Sequence, residues 1–186
     1  MANFTGLTTY DEVKEFLRLG NDNDQALIER LILAASDFLV SWLSRDIKSK
    51  DYTEYRNGRG HMKLMMKNYP VTAVSSLTID GVAIPASDGT SPGYLFDDRS
   101  LYLIGYEFTK GFLNVRAVYT AGYTIIPWAI SQACIDLISL KYKERDRIGI
   151  QSLALATETV TYRIWDLTSQ TKGMLNEYKR TTPVET

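Results

Sequence analysis

The chain has 186 residues, 45% of them hydrophobic and 23% charged, and its 21 Lys and Arg against 22 Asp and Glu leave a net charge of −1. That balance excludes a disordered chain, and it lacks the basic surplus with which proteins displace counterions from duplex DNA. The single Cys134 excludes an intramolecular disulfide framework, and the N-terminal Met-Ala-Asn-Phe-Thr-Gly has neither the basic nor the apolar region of a signal peptide; with no apolar run that would span a bilayer, synthesis in a cytoplasm is expected.

A first helix is predicted from Thr9 onward. Thr9 and Glu12 have capping-box spacing, Val13, Phe16 and Leu17 make an apolar stripe, and Gly20 suits the left-handed residue that ends a helix. Asp24 reads as the N-cap of a second, longer helix. Its stripe is Leu27, Leu31, Ala34, Ala35, Phe38 and Trp42, broadened by Ile28, Ile32 and Leu39. A face that wide exceeds the seam of a two-stranded coiled coil, so its own domain should bury one side and a neighbouring subunit part of the rest.

After Arg45 the pattern shifts to period two. Tyr52, Glu54 and Arg56 alternate with Thr53 and Tyr55, and Asn57-Gly58 suits a tight turn from which the chain returns through His61 to Lys67. Asn68-Tyr69-Pro70 breaks that run. A second hairpin is expected from Val74–Ile79 and Val82–Ile84 about Asp80-Gly81, then a loop over Ser87–Gly93, then strands at Leu101–Ile104 and Phe112–Tyr119. Repeated hairpins favour an antiparallel sheet or small barrel.

Pro127 suits the first position of a third long helix, with Ile130, Ala133, Cys134, Leu137 and Ile138 buried and Lys141–Arg147 polar. Residues 148–165 show weak strand character around Thr159–Ile164, and a short helix around Thr171–Lys179 carries Met174, Leu175 and Tyr178 on one face. The expected fold is therefore α+β: a helical core of two N-terminal helices plus a long third one, an inserted antiparallel β subdomain, and a C-terminal arm with a short helix. The corresponding segments are residues 1–50, 51–123, 124–147 and 148–186.

Catalytic, cofactor and metal sites are not expected. His61 is the only histidine and lacks a Cys or second His beside it, so it reads as a solvated strand residue. Cys134 lies in an apolar helix stripe and reads as core. Gly58-Arg59-Gly60 lacks the Lys-Ser/Thr of a phosphate loop and reads as a hairpin turn. Asp97-Asp98 reads as a turn before Leu101, and Asn21-Asp22-Asn23-Asp24 as a helix-capping turn in place of a calcium loop. Eight of the twelve tyrosines fall in or near the β segment. They suit a sheet core or subunit contacts; alternatively, with interleaved Arg and Lys, they would stack on single-stranded nucleic acid.

Several stretches in consistent order then converge on one family. Leu7-Thr8-Thr9-Tyr10-Asp11-Glu12-Val13-Lys14-Glu15-Phe16-Leu17, Asp24-Gln25-Ala26-Leu27-Ile28-Glu29-Arg30-Leu31-Ile32, Tyr69-Pro70-Val71-Thr72-Ala73-Val74 through Asp80-Gly81, Val118-Tyr119-Thr120-Ala121-Gly122-Tyr123 before Pro127, and Tyr178-Lys179-Arg180 make up the set. The chain resembles the head–tail connector (adaptor, or head-completion) proteins of long-tailed phages and prophages over most of residues 7–147. The resemblance implies a non-enzymatic virion component, a ring of about twelve copies. Such a ring lies beneath the portal, extends the channel through which double-stranded DNA passes, and receives a tail-completion or tail-terminator protein below. No membrane and no cofactor are implied. The arm and last helix are then candidate portal or inter-subunit contacts, through Leu153, Val160, Tyr162, Trp165, Leu175 and Tyr178; the alternative is that they fold back on their own helical core.

Overall fold

In a computed structural model, residues 6–145, 152–155, 158–161 and 167–180 are described. The described residues form four helices and three antiparallel sheets, an α+β protein. Contacts divide it into two units: a β unit, Asp46–Ile125, and a helical unit built from the segments on either side, up to Arg45 and from Ile126 to Arg180.

The helical unit begins with α1, Tyr10–Leu17. Its capping box forms as expected: the Glu12 amide donates to the Thr9 hydroxyl at 3.3 Å and the Thr9 amide to the Glu12 carboxylate at 3.0 Å. The Thr8 hydroxyl and then the Thr9 amide, both donating to it, hold the Glu12 carboxyl below its usual range. The helix ends two residues earlier than the glycine suggests. Arg18, not Gly20, takes the left-handed conformation (φ 55°), because its amide and that of Leu19 close on the Glu15 and Lys14 carbonyls. Phe16 is exposed, and Val13 is the fully buried residue of this helix.

Helix α2, Gln25–Leu43, buries Ile28, Ile32, Ala35, Ser36, Leu39 and Leu43. This stripe is the expected one rotated about one residue: Leu27, Leu31, Phe38 and Trp42 are half-buried along its flank, and Ala34 is exposed. Asp24 occupies the cap position but its side chain makes no capping bond; the carboxylate accepts from the Tyr142 hydroxyl instead. Asp22 is likewise diverted, accepting from Tyr10 at 2.7 Å and Lys14 at 2.6 Å.

Helix α3, Trp128–Glu144, packs against both earlier helices. Ile130, Ala133, Cys134, Leu137 and Ile138 are buried as the spacing requires, and Ile135, Ser131 and Ser139 are buried too. Pro127 is the N-cap, one position before the helix: its ψ of 135° is extended, and its carbonyl accepts from the Ile130 and Ser131 amides. Between α2 and α3, Ser36 does two things. Its hydroxyl accepts from the buried Leu7 amide at 2.8 Å and meets the Cys134 sulfur at 3.6 Å. Strands β8, Ser152–Leu155, and β9, Glu158–Thr161, pair antiparallel, and α4, Ser169–Asn176, is capped by the Thr168 hydroxyl and touches α3.

The β unit holds seven strands: β1 Lys50–Gly58, β2 Lys63–Met65, β3 Val71–Ile79, β4 Val82–Ile84, β5 Gly93–Phe96, β6 Ser100–Ile104 and β7 Gly111–Ala121. They form one sheet in the order β1-β7-β3-β4 and another in the order β2-β6-β5. Val71, Leu77, Leu101, Phe108, Val115 and Tyr119 belong to the core they share. The β3–β4 hairpin turns at Asp80-Gly81 as expected, both with positive φ (50° and 79°). The first expected hairpin does not exist. β1 pairs with β7 and β2 with β6, so Asn57-Gly58 is the end of β1, the residues after it lead to a strand of the other sheet, and the positive φ falls on Gly60 (77°). Gly58 lies within β1, and the position takes glycine because a Cβ there would run into the Thr109 carbonyl. β5 lies where no strand was expected, and Asp97 turns it into β6 by accepting from the Arg99 and Ser100 amides at 2.7 and 2.6 Å.

One buried polar network crosses the larger sheet. The Glu54 carboxylate accepts from the Tyr119 hydroxyl at 2.6 Å, from Arg56 at 3.2 Å and from the Lys67 amide at 3.3 Å; Asn68 also donates to the Tyr119 oxygen. Tyr52 stacks on the Tyr119 ring. Burial, then the Glu54 carboxylate, push the Tyr119 phenol well above its ordinary value of 10.0. A group whose folded pKa is raised contributes stability that is complete below its unfolded pKa. Stability should therefore fall as pH climbs above about 10. Tyr119→Phe should reduce this alkaline loss, read as the pH dependence of the urea midpoint.

Candidate interaction surfaces

Among the described residues, no three of His, Cys, Asp and Glu gather into a group that could hold a metal ion. His61 is exposed in an isolated bridge with Phe108. Cys134 is buried, and that burial pushes its thiol up to about 11, away from the thiolate a nucleophile needs.

The residues expected in partner contacts fall in three settings. Leu153 and Val160 sit opposite each other across the β8–β9 pair. Tyr162 and Trp165 lie outside the described residues. Leu175 is fully buried within its own chain, and Tyr178 is half-buried just past α4. The chain after α4 runs to the end of α2: the Tyr178 carbonyl accepts from Arg45 at 3.5 Å, the Arg180 amide donates to the Leu43 carbonyl at 3.0 Å, and the Lys179 ammonium lies 4.8 Å from the Trp42 ring centre. In the described part of the arm, Leu175 and Tyr178 thus join their own helical unit.

A second surface had no signal in the spacing of residues. At one end of the larger sheet, the end of β1, the β3–β4 turn and the segment leading into β7 meet. Asn114 ties them together. Its amide nitrogen donates to Asp80 at 3.0 Å and to the Thr109 carbonyl at 2.9 Å, and its oxygen accepts from the Gly58 amide at 2.8 Å. The Thr109 hydroxyl donates to Asp80, and these two donors hold the Asp80 carboxyl below its usual range. The Leu113 amide donates to Asn57 at 2.7 Å. This polar frame carries an apolar tip, Phe112, 82% exposed, and Leu113, 48% exposed. Leu113 has a φ of 48°, a left-handed conformation that a leucine adopts only when its surroundings impose it. The only trace of the tip in the sequence is that two large apolar residues follow Lys110-Gly111 directly.

Several solved structures are similar to this one, with essentially the whole chain aligned. They include the neck of an empty GTA particle computed with C6 symmetry (TM-score 0.60, 16% identity, 97% of this chain and 93% of that chain) and the neck of a native GTA particle computed with C12 symmetry (TM-score 0.57, 14% identity, 100% and 98%). A chain of the virion of a native gene transfer agent (GTA) particle is similar too (TM-score 0.59, 15% identity, 97% and 93%). At these identities the likeness is one of fold. No curated protein sequence matches. The family model of the head completion proteins matches residues 6–181, which is nearly the whole sequence. This chain belongs to the head completion protein family.

Proposed function

We propose that this protein is a non-enzymatic adaptor of the virion neck, a ring that joins the portal to the tail or to a tail-completion protein and continues the DNA channel. The observation that carries the reading is the family match over residues 6–181. The fold shared with chains from necks computed with C6 and C12 symmetry supports a ring. Identical subunits in head-to-tail contact close into a ring when the rotation between them permits. Twelve copies agree with the higher of those two symmetries. The net charge of −1 suits a channel wall along which DNA slides, because strong phosphate neutralisation would grip it.

In this reading the arm makes the portal or inter-subunit contacts, through Leu153, Val160, Tyr162, Trp165 and Tyr178, while buried Leu175 fixes α4 to the helical unit that carries the arm. Particles made without the protein should be DNA-filled heads without tails, and electron microscopy of the protein mixed with its portal should show a ring beneath it. Tailed particles in its absence, or no association with portal, would refute the role.

A further inference from the structure

We propose that Asn57-Gly58 is a deamidation site that the fold holds shut. It stays intact in the folded chain and converts to aspartate and isoaspartate when the end of β1 opens, and Asn114 is the residue that guards it.

The pair has the chemistry for the reaction. Asn57-Gly58 is the sole Asn-Gly step in the sequence. In such a step the glycine backbone nitrogen, having lost its proton to hydroxide, attacks the side-chain carbonyl carbon of the asparagine. A C–N bond forms, ammonia leaves with a proton drawn from water, and a five-membered succinimide results. Water then opens that ring at either carbonyl, giving aspartate or isoaspartate, with nothing oxidised or reduced. Glycine favours ring closure because it has no Cβ to hinder the nitrogen and leaves the backbone free to turn. Asn57 is exposed, so water and hydroxide reach it.

The structure blocks each requirement. The Gly58 amide keeps its proton in a bond to the Asn114 oxygen at 2.8 Å, so the nitrogen is not the anion that attacks. The Asn57 side-chain oxygen accepts from the Leu113 amide at 2.7 Å, which fixes the group to be attacked. Closing the ring also requires rotation of the Asn57 backbone, and that would pull Gly58 away from its partner Gly111 in β7 and from its close fit against the Thr109 carbonyl. The ladder alone gives little protection here, because the β1–β7 register shifts between Arg56 and Gly58. Side chains take over, and Asn114 is the clasp: it is held in turn by donating to Asp80 at 3.0 Å and to the Thr109 carbonyl at 2.9 Å. Reaction would damage the frame that carries Phe112 and Leu113. Either product adds a negative charge, and isoaspartate routes the main chain through the former side chain and lengthens β1 by one methylene group. A virion component is not resynthesised after assembly, so an unguarded step of this kind would accumulate damage through the life of the particle.

The test uses the full chain, incubated in mildly alkaline buffer, with aspartate and isoaspartate at position 57 read by peptide mapping and mass spectrometry. The folded protein should convert more slowly than the same chain unfolded in guanidinium chloride, by roughly tenfold or more, because reaction waits on local opening. Asn114→Ala should raise the folded rate by roughly tenfold, as loss of its hydrogen bonds favours the open form. Leu39→Ala, which weakens the helical unit instead, should leave that rate unchanged. Hydrogen exchange at the Gly58 amide of the unaltered protein gives a reading that depends on no variant, and the amide should be protected. Equal conversion of folded and unfolded chains, a folded rate indifferent to Asn114→Ala, an equal rise with Leu39→Ala, or an unprotected Gly58 amide would each overturn the proposal. None of these outcomes bears on the adaptor reading, which stands or falls with the portal experiment.

Discussion

Leu39→Ala should destabilise the protein by about 2–5 kcal/mol, whereas Leu33→Ala, six residues earlier on the same helix, should cost almost nothing. Leu39 is fully buried on the face of α2 that meets α3, and shortening it leaves a cavity that the neighbouring helices cannot fully close. Leu33 is 44% exposed, so its truncation removes little buried area. Urea unfolding followed by circular dichroism separates the outcomes. Equal losses at both positions would mean that α2 is rotated from the orientation described. The comparison matters because the apolar residues of α2 cover so much of its circumference that spacing alone admits either face.

The second large effect is expected at Glu54. Glu54→Ala removes the acceptor of the Tyr119 hydroxyl, of Arg56 and of the Lys67 amide together, and should cost about 3 kcal/mol or more. Glu54→Gln keeps the shape and an acceptor oxygen, so its cost should be smaller. Combining Glu54→Ala with Tyr119→Phe should cost less than the sum of the two single changes, because the second removes a donor that the first had orphaned. Additive losses in urea midpoints would mean that the two groups stabilise the sheet independently. The network also accounts for a buried carboxylate in the middle of a strand. Each of its bonds comes from a different segment, β1, the stretch after β2, or β7, so the network sets how those segments meet.

The helices were the most legible elements, and for a local reason. A capping box at Thr9 and Glu12, and the run Ile130, Ala133, Cys134, Leu137 and Ile138, involve residues within a turn or two of each other, and both form. The Asp80-Gly81 hairpin is local in the same sense and forms as well. Wherever a choice depended on a distant partner, the local pattern misled. Asn57-Gly58 has the chemistry of a tight turn, but β7 supplies a longer partner for β1, and pairing with it draws Gly58 against Thr109. Asp24 has the chemistry of a cap, but Tyr142, 118 residues away, takes its carboxylate. β5 was hidden because Asp97 had to be seen accepting from Arg99 and Ser100 before Gly93–Phe96 could read as the first arm of a hairpin.

The sequence by itself determined the α+β class, the antiparallel character of the β segment, the burial of Cys134 and the family, because periodicity, capping chemistry and an ordered set of motifs are properties of the chain. Only the tertiary structure decided which face of α2 is buried, which strands pair, that Leu175 turns inward, and that Phe112 and Leu113 stand out on a frame made by Asn57, Asp80, Thr109 and Asn114. Each of these outcomes depends on groups brought together from across the chain. Spacing records only neighbours, while burial and hydrogen bonding are settled between segments that meet on folding.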